Sequence, residues 1–305
     1  MNSLPESHSV VGISRRQFLG GALTVAALSS VSAGSASGAE KTAAGALPPR
    51  SPRRPVVFNS ANLVARFSGY RYDAKKWGDQ DKKTVASMDE KVWADICQEI
   101  AAAGYRAVEV WVAHAHPSKM TDASAKTYRQ ILADHGLEPV GLGGTLNDDT
   151  ARVCRQLGIP ACNGGFWGSD LPTVQRLTQS TGLHFNYENH PEKSVEEIVG
   201  KIGGGDEKIG LTVDTGWLGT QGLDTPATIR KLGPLVRHVH LKDVKRAGSH
   251  ETCSLGEGVV NIAATIQALK AIGYAGWYSW EDEPEDRNPM DIARTMRERI
   301  EGWVG

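Results

Sequence analysis

The chain has 305 residues, a net charge of −1 and 40% hydrophobic residues. This even charge balance, without a basic stripe, argues against nucleic acid as the main partner. The four cysteines lack CxxC spacing and are typical of ordinary half-buried thiols; a Cys154–Cys162 disulfide is the one alternative that we consider.

The first residues are typical of an export signal. Ser14-Arg15-Arg16-Gln17-Phe18-Leu19 is a twin-arginine pattern, and an apolar run to Leu28 and small residues at 31–39 follow it. The run is shorter than the ~18–20 residues that span a bilayer, so no stable membrane anchor is expected after signal removal. We predict a twin-arginine (Tat) signal peptide over residues 1–39, a linker over 40–54, and export by the Tat machinery to a periplasmic or secreted location.

Past residue 54, strand-like and helix-like segments alternate. Strands are predicted at 56–58, 107–112, 139–142, 160–166, 183–188, 209–214, 237–240 and 277–281. Helices are expected from Asp89, Ser124, a cap at Asp148 or Asp149, Leu171, Ser194, a cap at Thr225, the stretch around Ile262, and Asn288. The polar segment 68–87 is too long and irregular for a plain connection, so we expect a functional loop that covers a site.

Eight such units predict the fold class. Strict β-α alternation requires a parallel sheet, and eight units in roughly 250 residues fit a (β/α)8 TIM barrel better than an open doubly wound sheet. No GxGxxG motif follows the first strand, which argues against dinucleotide binding. We therefore predict a single catalytic barrel domain over residues 55–305.

Acidic and histidine residues end four consecutive predicted strands. They are Glu188, Asp214, His240 and Glu281, spaced 26, 26 and 41 residues apart. Barrel enzymes place their chemistry at the C-terminal strand ends, so these side chains are expected to meet at one rim. Any one of them alone is more often a helix cap or a solvated loop residue. Four in succession predict an oxygen-rich metal site with room for substrate.

Several motifs resemble the xylose isomerase-like sugar phosphate isomerase/epimerase family, from about residue 56 to the C-terminus. They are Glu188-Asn189-His190-Pro191, Val213-Asp214-Thr215-Gly216, His238-Val239-His240-Leu241-Lys242-Asp243, Leu255-Gly256-Glu257-Gly258-Val259-Val260 and Ser279-Trp280-Glu281. The family includes ketose 3-epimerases, hydroxypyruvate isomerase and inosose dehydratase, and it shares its barrel with endonuclease IV. The resemblance implies that Glu188, Asp214, His240 and Glu281 bind one divalent metal ion (Mn, Mg, Co or Zn). It also implies that Glu188 and Glu281 form the acid/base pair.

Two further positions bear on the substrate. Arg246 lies six residues past His240 and matches the family's substrate-binding arginine. Many members carry a histidine three residues after the aspartate ligand, where this chain has Trp217. An apolar wall thus replaces a hydrogen-bonding group, which argues against ordinary ketose 3-epimerase specificity.

The remaining candidates have two interpretations each. Lys242 either donates to a departing oxygen or forms a salt bridge, and His190 either contacts substrate or caps its loop. His114 and His116 flank the rim from the second strand, and we expect at least one of them in the pocket. Tryptophans are candidates for apolar walls against sugar faces or for barrel filling: Trp111, Trp167, Trp217 and Trp280. We expect Glu283, Glu285 and Asp286 to be solvated loop acids.

The leading hypothesis is a metal-dependent isomerase or epimerase that abstracts a proton α to the carbonyl of a keto-sugar or polyol derivative through an enediolate. A lyase or dehydratase on a 3-keto-glycoside or keto-polyol uses the same site, and export and Trp217 favour it. A non-catalytic carbohydrate-binding barrel and an endonuclease IV-like enzyme are weaker alternatives. The latter requires additional ligands for a trinuclear cluster and a basic surface. The sequence leaves the sugar, the native metal and the oligomeric state open.

Overall fold

The computed structural model describes residues 56–305. Its eight barrel strands are β1 (Val56–Asn59), β2 (Ala107–Trp111), β3 (Glu138–Gly143), β4 (Ala161–Gly164), β5 (His184–Glu188), β6 (Ile209–Asp214), β7 (Val236–Leu241) and β10 (Tyr278–Trp280). They are all parallel, and β10 pairs with both β7 and β1, so the sheet closes on itself. The predicted (β/α)8 barrel is confirmed. The predicted signal peptide and linker lie outside the described residues and stay predictions.

Helices cover the outside of the barrel. They are α1 (Trp77–Ser87), α2 (Glu90–Ala102), α3 (Asp122–Asp134), α4 (Asp148–Leu157), α5 (Leu171–Thr181), α6 (Val195–Lys201), α7 (Thr215–Thr220), α8 (Thr225–Leu232), α9 (Ile262–Ala271) and α10 (Ala293–Val304). Short 3-10 turns lie at 60–63, 66–68, 74–76, 233–235 and 289–291. A small antiparallel hairpin, β8 (Asp243–Val244) and β9 (Thr252–Cys253), follows β7. No helix among residues 56–305 is long and apolar enough to cross a membrane.

Side-chain caps fix where the helices begin. Asp89 accepts a hydrogen bond from the backbone of Val92 at 2.8 Å, which satisfies one of the free N–H groups at the start of α2. The predicted caps of two other helices were wrong by one or two positions, because Asn147 caps α4 and Asp224 caps α8. Asp148 and Asp149 lie in the first turn of α4, where a negative charge also stabilises a helix.

The segment 68–87 is not the irregular loop that its composition predicts, since it contains α1. The buried residues of this helix are polar, Gln80 and Thr84, so it lacks the apolar stripe that reveals a helix in a sequence. Ser68 donates a hydrogen bond to Gln80 at 2.6 Å, which ties the start of the segment to the helix. The helix α7 was also unexpected, because Gly216 and Gly219 give it low helix propensity.

The main hydrophobic core lies between the strands and the helices. Phe58 packs edge-on against Tyr105 and Trp280, with ring centroids 5.3 and 5.5 Å away. Trp280 is buried, so it is barrel filler rather than a wall of the site. Cys154 and Cys162 are free, and their sulfurs lie 3.4 Å apart. The disulfide considered from the sequence stays a prediction.

Candidate active site

The four predicted metal ligands meet at the C-terminal rim of the barrel. Glu188, Asp214, His240 and Glu281 are all buried, and each offers one ligand atom within 4.8 Å of the others. Strand register explains this convergence. Asp214 at the end of β6 lies opposite His240 in β7, and Ser279 of β10 lies on the other side of His240.

The imidazole of His240 faces the cluster with one nitrogen and the barrel interior with the other. Nδ1 lies 2.8 Å from Glu188 Oε1 and 2.5 Å from Glu281 Oε2. Nε2 lies 3.0 Å from Glu109 Oε2. Burial by itself lowers the pKa of His240, but the negative charges of Glu109, Glu281 and Glu188 outweigh burial and hold that pKa well above its ordinary value.

Asp214 uses its two carboxylate oxygens differently. Oδ1 accepts hydrogen bonds from the backbone N–H groups of Gly216 at 2.7 Å and Trp217 at 3.0 Å, and so caps α7. Oδ2 has no hydrogen-bond donor among the described residues and lies 3.6 Å from Lys242 Nζ. Burial raises the pKa of Asp214 to about 6, against the lowering effect of Lys242.

The cluster fits a divalent cation. Within the described part of the chain, Asp214 Oδ2 and Glu281 Oε2 are buried carboxylate oxygens without a hydrogen bond of normal geometry. Leaving such an atom unpaired costs about 1–3 kcal/mol, and a bound cation removes that cost. Three carboxylates and one imidazole are a donor set that Mn, Mg, Co and Zn accept. His240 would offer Nδ1, because Nε2 is engaged by Glu109.

Sequence reasoning missed Glu109, which lies within β2 and is completely buried. Its carboxylate is 2.9 Å from His238 Nε2 and accepts hydrogen bonds from Ser279 Oγ at 2.7 Å and Asn163 Nδ2 at 2.8 Å. Burial alone raises the pKa of Glu109, but the adjacent His240 and His238 hold it well below its ordinary value. The one signal available was an ionisable residue at the centre of an otherwise apolar strand.

Glu109, His238 and His240 form a second set of potential ligand atoms within 4.8 Å of one another. Both oxygens of Glu109 already have hydrogen-bond partners, in contrast to the free oxygens of the rim cluster. This inner set is therefore a hydrogen-bonded support for His240 rather than a second metal site. A carboxylate on the far nitrogen of a ligating histidine is the usual arrangement in metal sites.

Lys242 adds a positive charge beside the cluster. Its ammonium lies 3.3 Å from Glu281 Oε1 and 2.7 Å from Glu283 Oε2. Burial alone lowers the pKa of Lys242, but the carboxylates of Glu281, Glu283 and Asp214 raise it well above its ordinary value, so the ammonium keeps its proton. The salt-bridge interpretation of Lys242 is therefore observed, while its role as donor to a departing oxygen stays a prediction.

The prediction that Glu283 is a solvated loop acid was wrong. Its side chain is only 15% exposed, and its backbone adopts a left-handed φ of 51°. Burial raises the pKa of Glu283 to about 7, against the lowering effect of Lys242. Non-glycine residues seldom adopt this backbone conformation, and such strain is concentrated at functional sites.

His190 and Trp217 border the cluster. His190 Nδ1 lies 3.1 Å from the carbonyl oxygen of Glu188, and its Nε2 lies 3.8 Å from Glu188 Oε2. The ring of Trp217 lies 5.1 Å from that of His190, between centroids. His190 thus both contacts its own loop and faces the site, and the two residues form one wall beside Glu188.

Trp111 and His114 lie together but not within the cluster. Trp111 is buried edge-on between Trp77 and His114, with centroid distances of 5.1 and 5.3 Å. His114 is completely buried, and its Nδ1 lies 3.0 Å from Ser60 Oγ. Burial lowers the pKa of His114 to about 3, with a smaller contribution from Arg66. His114 is therefore neutral and supports the packing behind the rim.

The other two predicted substrate contacts lie further out. His116 is half-buried, and its Nδ1 pairs with Ser118 Oγ of the same turn at 2.7 Å. Arg246 is exposed in the turn of the β8–β9 hairpin, where its carbonyl accepts a hydrogen bond from Ser249. Neither belongs to the group of four, so their roles as substrate contacts stay predictions.

Hydrogen bonds join two motifs of the predicted family, the segment 238–243 and the segment 255–260. The carboxylate of Asp243 accepts hydrogen bonds from the backbones of Gly256 and Gly258 at 2.9 Å each, and from Val260 at 3.0 Å. A Cβ at position 258 would overlap Asp243 Oδ1, so only glycine fits there. Asp243 thereby anchors the loop 254–260 to the end of β7 and stabilises the rim next to Lys242.

Comparisons with known proteins identify the family. Residues 97–302 match the model of the xylose isomerase-like TIM barrel family, and the chain belongs to this family. It is 30% identical over 216 residues to an inosose dehydratase of Geobacillus thermodenitrificans (strain NG80-2), which covers 62% of this chain and 72% of that protein. The named relatives of this chain are therefore enzymes that act on small molecules.

Solved structures share the fold. The IolI protein with a bound zinc atom superimposes with a TM-score of 0.59 at 14% identity, over 82% of this chain and 98% of that one. D-psicose 3-epimerase in the presence of D-fructose superimposes with a TM-score of 0.55 at 17% identity, over 70% of this chain and 94% of that one. At these identities the likeness establishes the common barrel.

Proposed function

We propose that the protein is a divalent-metal-dependent enzyme that abstracts a proton from the carbon next to the carbonyl of a keto-sugar or keto-polyol. The observation that carries the proposal is the buried cluster at the barrel rim, in which carboxylates from separate strands surround His240 Nδ1. Asp214 Oδ2 lacks a hydrogen-bond donor among the described residues, and Glu281 Oε2 contacts His240 Nδ1 without a hydrogen bond of normal geometry, as expected of ligands prepared for a cation.

Different residues of the cluster have different roles in the proposed reaction. A divalent cation in the cluster would act as a Lewis acid toward the carbonyl and neutralise charge that develops on the substrate. The carboxylates of Glu188 and Glu281 flank the site and are the groups that remove the proton. Lys242 holds a proton 3.3 Å from Glu281 Oε1.

We infer elimination as the outcome, which makes the protein a lyase or dehydratase. After a carboxylate takes the α-proton, the C–H electron pair forms the enediolate and then expels the oxygen on the β-carbon. The Lys242 ammonium is the nearby donor that protonates this leaving oxygen, so proton and charge balance. The relative named inosose dehydratase supports this outcome, as does the apolar Trp217 in the wall.

Epimerisation or isomerisation is the second candidate, and one observation favours it. Glu188 Oε1 and Glu281 Oε2 approach the same nitrogen of His240 from β5 and from the end of β10. Two carboxylates that approach one point from different strands suit removal of a proton by one of them and its return by the other.

One experiment distinguishes these outcomes. Protein loaded with Mn, Mg, Co or Zn is incubated in D2O with free keto-sugars and with 3-keto-glycosides, and the products are followed by NMR. Zinc belongs in the panel because the IolI relative carries it. We expect release of the β-oxygen substituent, because the carbon that loses the α-proton becomes part of the new double bond, and deuterium next to the carbonyl in substrate that has exchanged without elimination. A deuterated stereoisomer without release indicates epimerisation instead.

A variant pair provides the control. We expect Glu281→Gln to abolish exchange, whereas Glu285→Gln, in the same loop but outside the cluster, leaves the exchange rate near that of the unmodified chain. Absence of both exchange and β-oxygen release with every substrate and cation, or full activity of Glu281→Gln, would rule out the proposed mechanism.

The cellular location of the protein is the subject of a separate proposal. We propose that residues 1–39 direct folded protein through the Tat machinery, because Arg15-Arg16 precedes an apolar run and small residues. A fusion of residues 1–54 to a reporter should be exported, and replacement of Arg15 and Arg16 by lysine should retain it in the cytoplasm. Export of the lysine variant at the normal rate would contradict this.

A further inference from the structure

Four aromatic rings form a continuous chain along the rim beside Glu188, which we call the aromatic chain: Trp167, His190, Trp217 and His250. Neighbouring ring centroids in this order are 5.0, 5.1 and 4.5 Å apart. The rings come from the four successive connections that follow β4, β5, β6 and β7. The second ring of the aromatic chain lies next to a metal-ligand candidate, since His190 Nε2 lies 3.8 Å from Glu188 Oε2.

The local backbone holds these rings in place. A Cβ at position 165 would lie 2.9 Å from Trp167 Cε2, so the indole rests directly on Gly165. Trp217 is fixed through its backbone N–H to Asp214 Oδ1 at 3.0 Å. Rings that are already positioned lose little conformational entropy when they bind a ligand.

Both ends of the aromatic chain are open to solvent. Trp167 is 59% exposed, and among the described residues Val259 is the other large hydrophobic residue with comparable exposure. His250 is exposed as well. An exposed tryptophan beside a buried polar site is typical of a binding surface rather than of packing.

The alternation of indole and imidazole indicates the kind of ligand. Indole faces contact the C–H faces of sugar rings or aromatic groups, while imidazole nitrogens exchange hydrogen bonds with hydroxyl groups. His190 Nε2 lies 3.8 Å from Glu188 Oε2, and the ring of Trp167 lies a further centroid step of 5.0 Å from that of His190. A ligand that places one sugar ring at the cluster therefore contacts Trp167 through a group attached to that sugar.

We propose that the aromatic chain is a second subsite, which binds the ring attached to the reacting sugar, so that the substrate is a glycoside rather than a free monosaccharide. The inference rests on the proposed function, since it places the reacting sugar at the metal cluster. The attached ring is a second sugar or an aromatic aglycone, and both present a flat face to Trp167.

The size of the exposed surface favours such a ligand over a protein partner. One tryptophan contributes about 150–250 Å² of buried surface, whereas a stable protein interface buries about 1,200–2,000 Å² in total. Within the aromatic chain, Trp167 is the exposed indole, since Trp217 is half-buried, and the imidazole of His190 lies beside Trp167. A ring-sized ligand matches this area.

Binding of two unoxidised probes tests the inference without turnover. Phenyl β-D-glucopyranoside and methyl β-D-glucopyranoside differ only in the attached group, and their Kd values for the Mn-loaded protein are measured by NMR titration. We expect the phenyl glycoside to bind about tenfold more tightly. In saturation-transfer spectra its phenyl protons should receive the strongest signal.

Variants assign the effect to the aromatic chain. Trp167→Ala should remove the tenfold advantage, Trp167→Phe should keep most of it, and Val259→Ala should leave it unchanged as the exposed apolar control. Thermal unfolding of each variant verifies its fold. Equal Kd values for the two probes, or an advantage that survives Trp167→Ala, would overturn the inference.

If this surface were instead an interface between two copies of the protein, light scattering would detect it. A dimer seen by light scattering that dissociates in Trp167→Ala would overturn the glycoside subsite in favour of self-association. The proposed function fails separately, through absence of both deuterium exchange and β-oxygen release. Tight phenyl glycoside binding without either would therefore keep the subsite and reject the chemistry.

Discussion

Glu109 illustrates how a residue outside the cluster controls the properties of a ligand within it. Its carboxylate lies 3.0 Å from His240 Nε2, so a proton on that nitrogen is held there and Nδ1 remains the nitrogen that faces the rim. This arrangement fixes both the tautomer and the rotation of the ring. Loss of such a partner typically weakens metal binding 10–100-fold.

We therefore expect Glu109→Gln to raise the Kd for Mn about 10–100-fold. Isothermal titration measures this affinity, and the absorption spectrum of the Co-loaded variant should change because the geometry of His240 relaxes. Ser279→Ala, which removes one hydrogen bond to the same carboxylate, serves as the control with a smaller effect. Unchanged affinity and spectrum in Glu109→Gln would show that Glu109 contributes only to packing.

His114 gives the unfolding free energy a dependence on pH. Burial lowers its pKa to about 3 in the folded state, whereas the unfolded state keeps the ordinary value near 6.5. Between these values the unfolded chain binds more protons, so the free energy of unfolding falls as pH decreases below about 6.5. His114→Asn should flatten this slope.

Urea unfolding at pH 8, 6 and 5 measures the effect, with His135→Asn at the half-buried C-cap of α3 as the control. The contribution of His114 to the free energy of unfolding is fully present at pH 8 and decreases steadily as the pH is lowered. An identical slope in His114→Asn and in the unmodified chain would contradict the assignment.

At the residue scale, the sequence was sufficient to predict the cluster of four ligand candidates but not the residues that support it. Glu188, Asp214, His240 and Glu281 each end a recognisable strand, and strand ends of a barrel meet at one rim. Glu109 contacts His238 and His240 across 129 and 131 residues, and no local pattern encodes such a pairing. Glu283 was misassigned because its burial depends on Lys242.

Among the elements, β6 was predicted with its observed limits and α1 was not predicted at all. Residues 209–214 are an apolar strand that ends in aspartate, so composition and periodicity agree there. In α1 the inward residues Gln80 and Thr84 are polar, and tertiary packing rather than an apolar stripe stabilises the helix. Sequence periodicity detects elements that bury apolar faces and misses those that do not.

The short helix α7 depends on Asp214, and this dependence yields a prediction. Asp214→Asn keeps an oxygen able to accept from Gly216 and Trp217, so the helix should remain, but the charge that binds the cation is lost. Asp214→Ala loses both the acceptor oxygen and the charge, and the missing cap should lower the free energy of unfolding by about 1 kcal/mol more.

Elemental analysis after dialysis should therefore detect no bound metal in either variant, and urea unfolding should rank Asp214→Ala as the less stable one. Equal stability of the two variants would indicate that the cap contributes nothing to α7. Metal retained by Asp214→Asn would remove Asp214 from the ligand set.

For the whole molecule, the cluster joins β5, β6, β7 and the end of β10, so a cation bound there connects half of the barrel. Without a cation, three buried carboxylates repel one another and rely on His240 and Lys242 for compensation. Binding to the folded state alone stabilises a protein by about 2.7 kcal/mol when the free cation is at 100 times its Kd.

We expect EDTA to lower the thermal unfolding temperature and added Mn to restore it. Asp214→Asn is the matched control, because it has lost the cation site and should unfold at the same temperature with and without EDTA. An EDTA effect of equal size in this variant would indicate a metal site elsewhere in the chain.

The shared carboxylate of Asp214 has one more consequence. Since Oδ1 is bonded to the backbone of Trp217 while Oδ2 faces the cation position, the ion and the aromatic wall are mechanically coupled through a single planar group. A cation bound at Oδ2 would therefore set the plane of this carboxylate and, through Oδ1, the backbone of Trp217. We expect substrate preference to differ between protein loaded with cations of different radius.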